Sequence, residues 1–380
     1  MPTGPGIAVS VVVPSRNSAT WIADCLAEPR AERVAEIILV DGGSTDGTLE
    51  IAEPLVDQVL QDEGTGPAAA RMLGIEAATQ PWVLLLDSDV VMPAGGVAKL
   101  LDEALAKELD GIQAAQESEG SDPWSNALAD HHRRGSSRRW FGTNATLLRR
   151  EVLQAYPLDD RLRSGEDIDL RLRLTGDHVP IGVSDNVTVR HRFAPGRPAA
   201  AEQWDDDGRG LGRVVRKHGW RALPNAFVPL AVGTIGIVAA PFRRGADGAR
   251  YYLGYLFGNY RGLVRGLLDG RVPVNGLSAR AAMTAAFVGL GLSVVAAAAI
   301  AVGIPVALLS SAVGEDPRLV SLAGLGSVLA LVWLELSLSF PAGDRRHDVA
   351  ASLRIPILIG AAIGLGLAGL RLLAIIKPLG

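Results

Sequence analysis

Val83-Leu84-Leu85-Leu86-Asp87-Ser88-Asp89 is the stretch whose reading decides the fold. Four apolar residues in a row are the pattern of a strand buried on both faces, as in a parallel sheet. Two carboxylates follow directly where that strand should end. In an open α/β sheet the ligand crevice lies just outside the carboxyl ends of the strands. Asp87 and Asp89 flank one residue there, so at least one carboxylate can turn into the crevice and hold a hard divalent cation. Mg2+ suits such a site, since it often takes one or two carboxylates together with substrate phosphates. The same residues would also make a strand followed by an acidic, solvated turn, and the stretch alone does not choose.

Upstream, Ala8-Val9-Ser10-Val11-Val12-Val13 is a β-branched run closed by Pro14, the mark of a first buried strand. A polar turn, Ser15-Arg16-Asn17-Ser18, leads into a helical pattern with Trp21, Ile22, Cys25 and Leu26 on one face. Glu36 to Val40 reads as a second strand with Asp41 at its end. The glycine-rich turn Gly42-Gly43-Ser44-Thr45-Asp46-Gly47-Thr48 then opens a short helix. Asp41 and Asp46 suit hydrogen bonds from a base or ribose, although such turns often only connect elements. Gln58-Val59-Leu60 is a short third strand, and Gly64-Thr65-Gly66-Pro67 starts a helix carrying Arg71, which faces either nucleotide phosphates or solvent. The order β-α-β-α-β-α-β implies right-handed crossovers and a mainly parallel sheet.

Downstream, residues 111 to 150 are less regular. Asp130 to Arg134 and Ser136 to Arg139 read as a mobile polar loop, with His131 and His132 read as a solvated or acceptor-facing pair and not as metal ligands. Trp140 to Leu148 reads as a further strand. Gly165-Glu166-Asp167-Ile168-Asp169-Leu170 opens an amphipathic helix in which Leu170 and Leu174 share a face, and acidic residues at a helix start are also favoured by its dipole. Val187 to Arg192 is a strand ending in His191 between two arginines.

Composition sets the bounds. A chain of 380 residues has room for about two domains. Mean hydropathy is +0.23, high for a soluble protein and unevenly spread, with Ala, Leu, Val, Gly and Ile dominating beyond residue 280. A net charge of −4 gives no argument for nucleic-acid binding. The single cysteine, Cys25, excludes an internal disulfide set and a multi-cysteine metal site. The N-terminus lacks the basic and apolar regions of a signal peptide, so the first domain is expected in the cytoplasm.

Together the strand into Pro14, the Asp41 to Thr48 loop, Asp87-Ser88-Asp89, Glu166-Asp167 and His191 resemble family 2 glycosyltransferases of the GT-A fold, over roughly residues 8 to 220. The resemblance implies an α/β catalytic domain, Rossmann-like with a mostly parallel sheet. It implies that Asp41 binds the nucleobase, with Asp46 and the Pro14, Ser15 and Asn17 loop lining the nucleotide pocket. Asp87 would contact ribose or metal, with Ser88 beside it, and Asp89 would hold a Mg2+ or Mn2+ ion bridging the diphosphate. His191 matches a position that often supplies another metal ligand. Asp167 matches the catalytic base and Glu166 the neighbour that contacts the acceptor. One base and no evident sugar nucleophile imply a single displacement with inversion. The donor would be a UDP- or GDP-type sugar.

Two acceptors stay open. A polyprenyl phosphate attacks with an ionised oxygen and needs no base, so Glu166-Asp167 favours a hydroxyl on a glycan or lipid-linked acceptor. Glu202-Gln203-Trp204 with Arg209 and Arg213 matches only loosely the Gln-rich Trp motif of processive synthases, which suggests one or few sugars per encounter. Arg209, Arg213, Arg216 and Lys217 would close over the diphosphate or face a membrane. A different class, a membrane export partner with a nucleotide-sensing domain, would not need Asp167.

The C-terminal part is expected to be an α-helical membrane domain. Residues 281–310, 319–340 and 355–376 are apolar stretches long enough to span, the later two carrying Glu335 and Arg371. Between 242 and 280 lie Arg243, Arg244, Arg250, Arg261, Arg265, Arg271 and Arg280 against Asp247 and Asp269, and basic segments stay cytoplasmic. Residues 226–242 therefore read as an interfacial or re-entrant helix. Tyr251, Tyr252, Tyr255, Phe257 and Tyr260 among arginines suit an amphipathic surface helix. The expected divisions are 1–225 catalytic, 226–280 juxtamembrane and 281–380 transmembrane, in a multi-pass protein of the inner or plasma membrane.

Overall fold

The computed structural model describes residues 6–134, 141–239, 241–274, 276–286 and 288–289. The chain forms two compact units, Met1–Val214 and Val215–Gly380. The first half alternates strands and helices: β1 (Ile7–Ser15), α1 (Ile22–Ala31), β2 (Val34–Asp41), α2 (Thr48–Ala52), β3 (Gln58–Gln61), α3 (Pro67–Ala77) and β4 (Trp82–Leu86). There follow β5 (Val90–Val91), α4 (Gly96–Ala106), β6 (Gly111–Glu119), α5 (Pro123–Arg134), β7 (Ala145–Arg149), α6 (Arg150–Ala155), α7 (Glu166–Gly176), β8 (Ile181–Arg192) and α8 (Arg197–His218).

The strands make one sheet in the order β3-β2-β1-β4-β7-β6-β8-β5. Its β3-β2-β1-β4 half is parallel, as the β-α alternation requires. The whole sheet is mixed but still mostly parallel, since β6 and β8 also pair in parallel. β7 runs antiparallel to both β4 and β6, and β5 runs antiparallel to β8. A run buried on both faces has the same apolar pattern in either direction, so the pattern carries no polarity.

Alternation along β1 and β4 feeds two cores. Val9, Val11, Val13, Leu84 and Leu86 pack with Ile22 and Leu26 of α1 and Leu100 of α4 on one face. Val12, Val40, Val83 and Leu85 pack with Ile75 of α3 and Leu170 and Leu174 of α7 on the other. The helix α3 lies unusually close to the sheet because of Gly74, where a Cβ would stand 2.3 Å from a methyl of Val12. That close seat lays the middle of α3 on Val12 of β1 and Val40 of β2.

Asp130 to Arg134 close helix α5 and are not a loop, while Ser136 to Arg139 lie outside the described residues. The start of α5 is fixed by Asp122, whose carboxylate accepts from the Ser125 amide at 2.8 Å, and by Pro123 in the first turn. Trp140 lies outside the described residues, and the strand expected there begins only at Ala145.

One buried carboxylate holds α4 to β8. Glu103 is buried and accepts from Lys107 Nζ at 2.6 Å, the Asp185 amide at 3.0 Å and the Ser184 hydroxyl at 2.5 Å. Burial disfavours its charge, but those donors outweigh it and hold its pKa at about 2, below the ordinary 4.5. A carboxyl depressed on folding stabilises above its unfolded pKa, and that stability is lost as pH falls through its folded pKa. Glu103→Gln is therefore expected to cost about 2 kcal/mol at pH 6, with the gap narrowing between pH 4.5 and 2. Urea melts of both proteins across that range check it; a gap independent of pH would reject the assignment.

The second unit is described through α9 (Leu223–Ala239) and α10 (Pro241–Leu267). Arg216 donates to the Leu267 and Val272 carbonyls at 2.7 and 2.9 Å. In α10 Tyr251 and Tyr255 are buried while Leu253 and Phe257 are 44% and 73% exposed, an amphipathic arrangement with apolar residues left on the outside. Among the described residues no helix is long and apolar enough to cross a membrane. Apart from 281–286 and 288–289, the stretches 281–310, 319–340 and 355–376, with Glu335 and Arg371, lie outside the described residues.

Candidate active site

The site gathers at the carboxyl ends of β1, β2 and β4. Register pairs Ser15 with Asp41 across β1 and β2, so the loops after both strands leave the sheet side by side. They are clipped together. The Asn17 amide donates to Ser44 Oγ and Asn17 Oδ1 accepts from the Thr45 amide, both at 2.9 Å. The Ser18 amide donates to Thr48 Oγ1 at 2.7 Å, and Asp46 Oδ2 accepts from the Ala19 amide at 3.0 Å. Asn17 adopts φ +52, a left-handed conformation that asparagine tolerates better than most residues.

Asp41 is 1% exposed, and its carboxylate is turned into its own loop. It accepts from the Gly43 and Ser44 amides at 3.0 Å each and from the Ser44 hydroxyl. Asp41 thus fixes the shape of its own loop. Asp46 is exposed, and its pKa is lowered by the Thr48 hydroxyl and then by amides of both loops. Pro14 and Ser15 continue β1 beneath these loops, with Ser15 Oγ buried and without a partner among the described residues.

At the end of β4 the two aspartates separate. Asp87 Oδ1 accepts from Arg71 Nη2 at 2.5 Å, and Arg71 Nη1 donates to Glu166 Oε1 at 2.7 Å. Arg71 and Glu166 are buried, so one guanidinium from α3 bridges the end of β4 to the first residue of α7. Burial pushes both carboxyls upward against the pull of Arg71, and Arg71 itself is held firmly protonated by its two partners. Ser88 meets Ser18 with 2.8 Å between hydroxyl oxygens, tying β4 to the β1 loop.

Asp89 faces the other way. The pairing of Val90 with His191 sets β5 against the end of β8, and Asp89 Oδ2 lies 3.4 Å from His191 Nε2. Burial opposes a charged His191, yet Asp89 and, farther off, Asp87 raise its pKa above the ordinary value. Its Nδ1 is buried without a hydrogen-bond partner among the described residues. Phe193 packs on His191 at 4.5 Å between ring centroids and on His132 of α5 at 5.0 Å.

The structure therefore brings Asp89 and His191 together and draws Asp87 toward Arg71. Among the described residues no three His, Cys, Asp or Glu side chains converge as a metal cage. Asp89 and His191 side by side nonetheless offer one carboxylate and one imidazole to a divalent cation, leaving its other positions to water or ligand oxygens.

On α7 the three acidic residues have different neighbours. Glu166 points to Arg71; Asp169 is fully buried and paired with Arg173 at 2.9 Å. Asp167 is half-buried. Across from the helix start, Arg213 of α8 donates to Ser164 Oγ at 2.8 Å. Arg209, expected over the diphosphate, pairs with Asp205 of its own helix at 2.6 Å.

Sequence reasoning missed the roles of Ser18, Thr48 and Phe193, which fasten loops or rings and not ligands. It also missed that α5 carries His132 toward the site. The helical spacing of Leu128 and His132 was the available signal.

Residues 10–158 match the family model described as glycosyl transferase family 2. The chain is similar to "Glycosyltransferase AglJ" of Haloferax volcanii, 40% identical over 96 residues, which is 25% of this chain and 32% of that protein. It is also similar to "Succinoglycan biosynthesis protein ExoA" of Rhizobium meliloti, 26% identical over 60% of this chain and 76% of that protein. The chain thus spans about a third of AglJ and three quarters of ExoA. Among solved structures it aligns with mannosyltransferase PcManGT from Pyrobaculum calidifontis in complex with GDP-Man and Mn2+. That alignment has TM-score 0.48 and 16% identity and covers 70% of this chain and 88% of that one.

Proposed function

We propose, for a chain whose residues 10–158 are a family 2 glycosyltransferase domain, that it transfers a sugar with inversion from a nucleotide-diphosphate sugar to a hydroxyl of a glycan or lipid-linked acceptor. The observation that carries this reading is the bridge Asp87–Arg71–Glu166. It ties Asp87, two residues before Asp89, to Glu166, one residue before Asp167, which supports reading Asp89 as a metal ligand and Asp167 as the base of one site.

The chemistry asks for charge control at two points. Breaking the sugar–phosphate bond builds positive charge at the anomeric carbon and negative charge on the departing diphosphate. Asp89 and His191 would hold a Mg2+ or Mn2+ ion, which acts as a Lewis acid on the leaving oxygens. Asp167 takes the acceptor hydroxyl proton as that oxygen attacks from the opposite face. The clipped loops of Asn17 and Asp46 form the nucleotide pocket, with backbone groups around the buried Asp41 facing the base. A UDP or GDP donor fits this reading equally.

We place the site at the cytoplasmic face of the cell membrane. The support is the apolar stretches beyond residue 280 and the arginine excess between 242 and 280. The full chain, given Mn2+ and a panel of UDP- and GDP-sugars, is expected to release nucleoside diphosphate from one of them. Asp89→Ala, or chelation of the ion, should abolish that release. Binding of a nucleotide-sugar with no release under any condition would instead favour a sensing role.

A further inference from the structure

We propose that Arg71 is a positioning residue that locks the end of β4 to the start of α7 by dividing one guanidinium between Asp87 and Glu166. The inference deepens the glycosyltransferase reading and rests on it for its kinetic arm only.

Three observations support it. Arg71 is 4% exposed, and each of its terminal nitrogens is committed to a carboxylate, at 2.5 Å to Asp87 and 2.7 Å to Glu166. Such a group is walled off from a nucleotide and cannot serve as its phosphate ligand. The partners lie 16 and 95 residues away in sequence, on opposite sides of the site. The helix that carries Arg71 is itself immobilised, since Gly74 one turn on lets α3 seat directly against Val12.

Geometry then gives Arg71 its consequence. Glu166 is the first residue of α7 and Asp167 the second. A guanidinium is a rigid fork that can satisfy two carboxylates at once, whereas an ammonium is a point charge. Holding Glu166 fixes the rotation of the first helical turn, and with it the direction in which Asp167 projects. The same fork holds Asp87, two residues from Asp89. Donor-side and acceptor-side groups are thereby kept in one frame, and a misplacement near 1 Å costs roughly 100-fold in rate.

The test uses the full chain carrying Arg71→Lys, which keeps the charge and loses the fork, with Arg71→Met beside it. Three quantities are read. They are amide hydrogen exchange over residues 163–169, affinity for UDP and GDP with Mn2+, and kcat and KM for the donor found in the sugar panel. Arg71→Lys is expected to fold and to bind UDP or GDP within about threefold of wild type. Its kcat should fall about 10- to 100-fold, and the first-turn amides of α7 should exchange about tenfold faster. Arg71→Met leaves two buried carboxylates without a cation and should lose stability further.

Wild-type exchange and wild-type kcat in Arg71→Lys would overturn the proposal. So would a nucleotide affinity that falls in step with kcat, since that assigns Arg71 to the nucleotide. If the wild-type chain turned over no nucleotide-sugar, the parent reading would fail, and the exchange arm would still decide this one.

Discussion

Replacing Asp167 by Asn is expected to lower sugar transfer roughly 10²- to 10⁴-fold while leaving nucleoside diphosphate affinity nearly unchanged. Asparagine has the size and shape of aspartate and keeps the first turn of α7 intact, but it cannot accept a proton. The neighbours make Asp167 the specific candidate. Glu166 is committed to Arg71, and Asp169 is fully buried against Arg173. Asp167 alone of the three is half-buried, in the first turn of α7. The comparison is with Asp89→Ala, which should weaken donor turnover itself. Steady-state transfer to a panel of hydroxyl acceptors, beside nucleotide binding by calorimetry, separates the two effects. Transfer to a polyprenyl phosphate at near wild-type rate by Asp167→Asn would overturn the hydroxyl-acceptor assignment, because an ionised phosphate oxygen needs no base.

The parallel half of the sheet was legible because its determinants are local. Val9 to Val13 and Val83 to Leu86 are too apolar to lie anywhere but between two layers, and helices separate each strand from the next. The reversed strands were not legible. Whether Ala145 to Arg149 runs with or against Leu84 depends on partners far away in sequence, and a doubly buried strand has no side that reports direction. The same distinction holds in the site. Asp41, Asp89, Glu166, Asp167 and His191 stand at strand ends or helix starts that follow from their own flanking residues. What Asp87 and Arg71 do was hidden, because an ion pair across 16 residues and another across 95 leave no periodic trace. Seen in isolation, Arg71 is a charge on a helix and Asp87 one of two equivalent carboxylates. Burial breaks that equivalence: the inward acid takes the cation, and the outer one faces His191. The helix α5 was misread for a related reason. Its polar end, Asp130 to Arg134, looks solvated until His132 is seen against Phe193.

A second large effect is expected at Gly165, from a requirement placed on one backbone position twice over. Gly165 caps α7 with φ +84, a left-handed conformation that costs an L-residue about 1–2 kcal/mol. A Cβ there would also stand 2.8 Å from the Cα and carbonyl oxygen of Gly210 in α8. Those are backbone atoms, so no rotamer change relieves the clash, and a Cβ added at Gly210 would in turn stand 2.8 Å from the Gly165 amide nitrogen. The crossing is reinforced by Arg213 on Ser164. Gly165→Ala must therefore either push α8 away or turn the start of α7, and the second outcome moves Glu166 off Arg71. A loss of about 3–5 kcal/mol is expected, together with a fall in transfer that exceeds what the residual folded fraction explains. Gly43→Ala supplies the contrast. Its φ is +80 but nothing lies within 4 Å of the added methyl, so only the conformational cost of about 1–2 kcal/mol should appear. Chemical denaturation of both variants measures the difference. Equal losses would show that α8 does not seat the start of α7, and the close approach of the two glycines would then carry no role in placing Asp167.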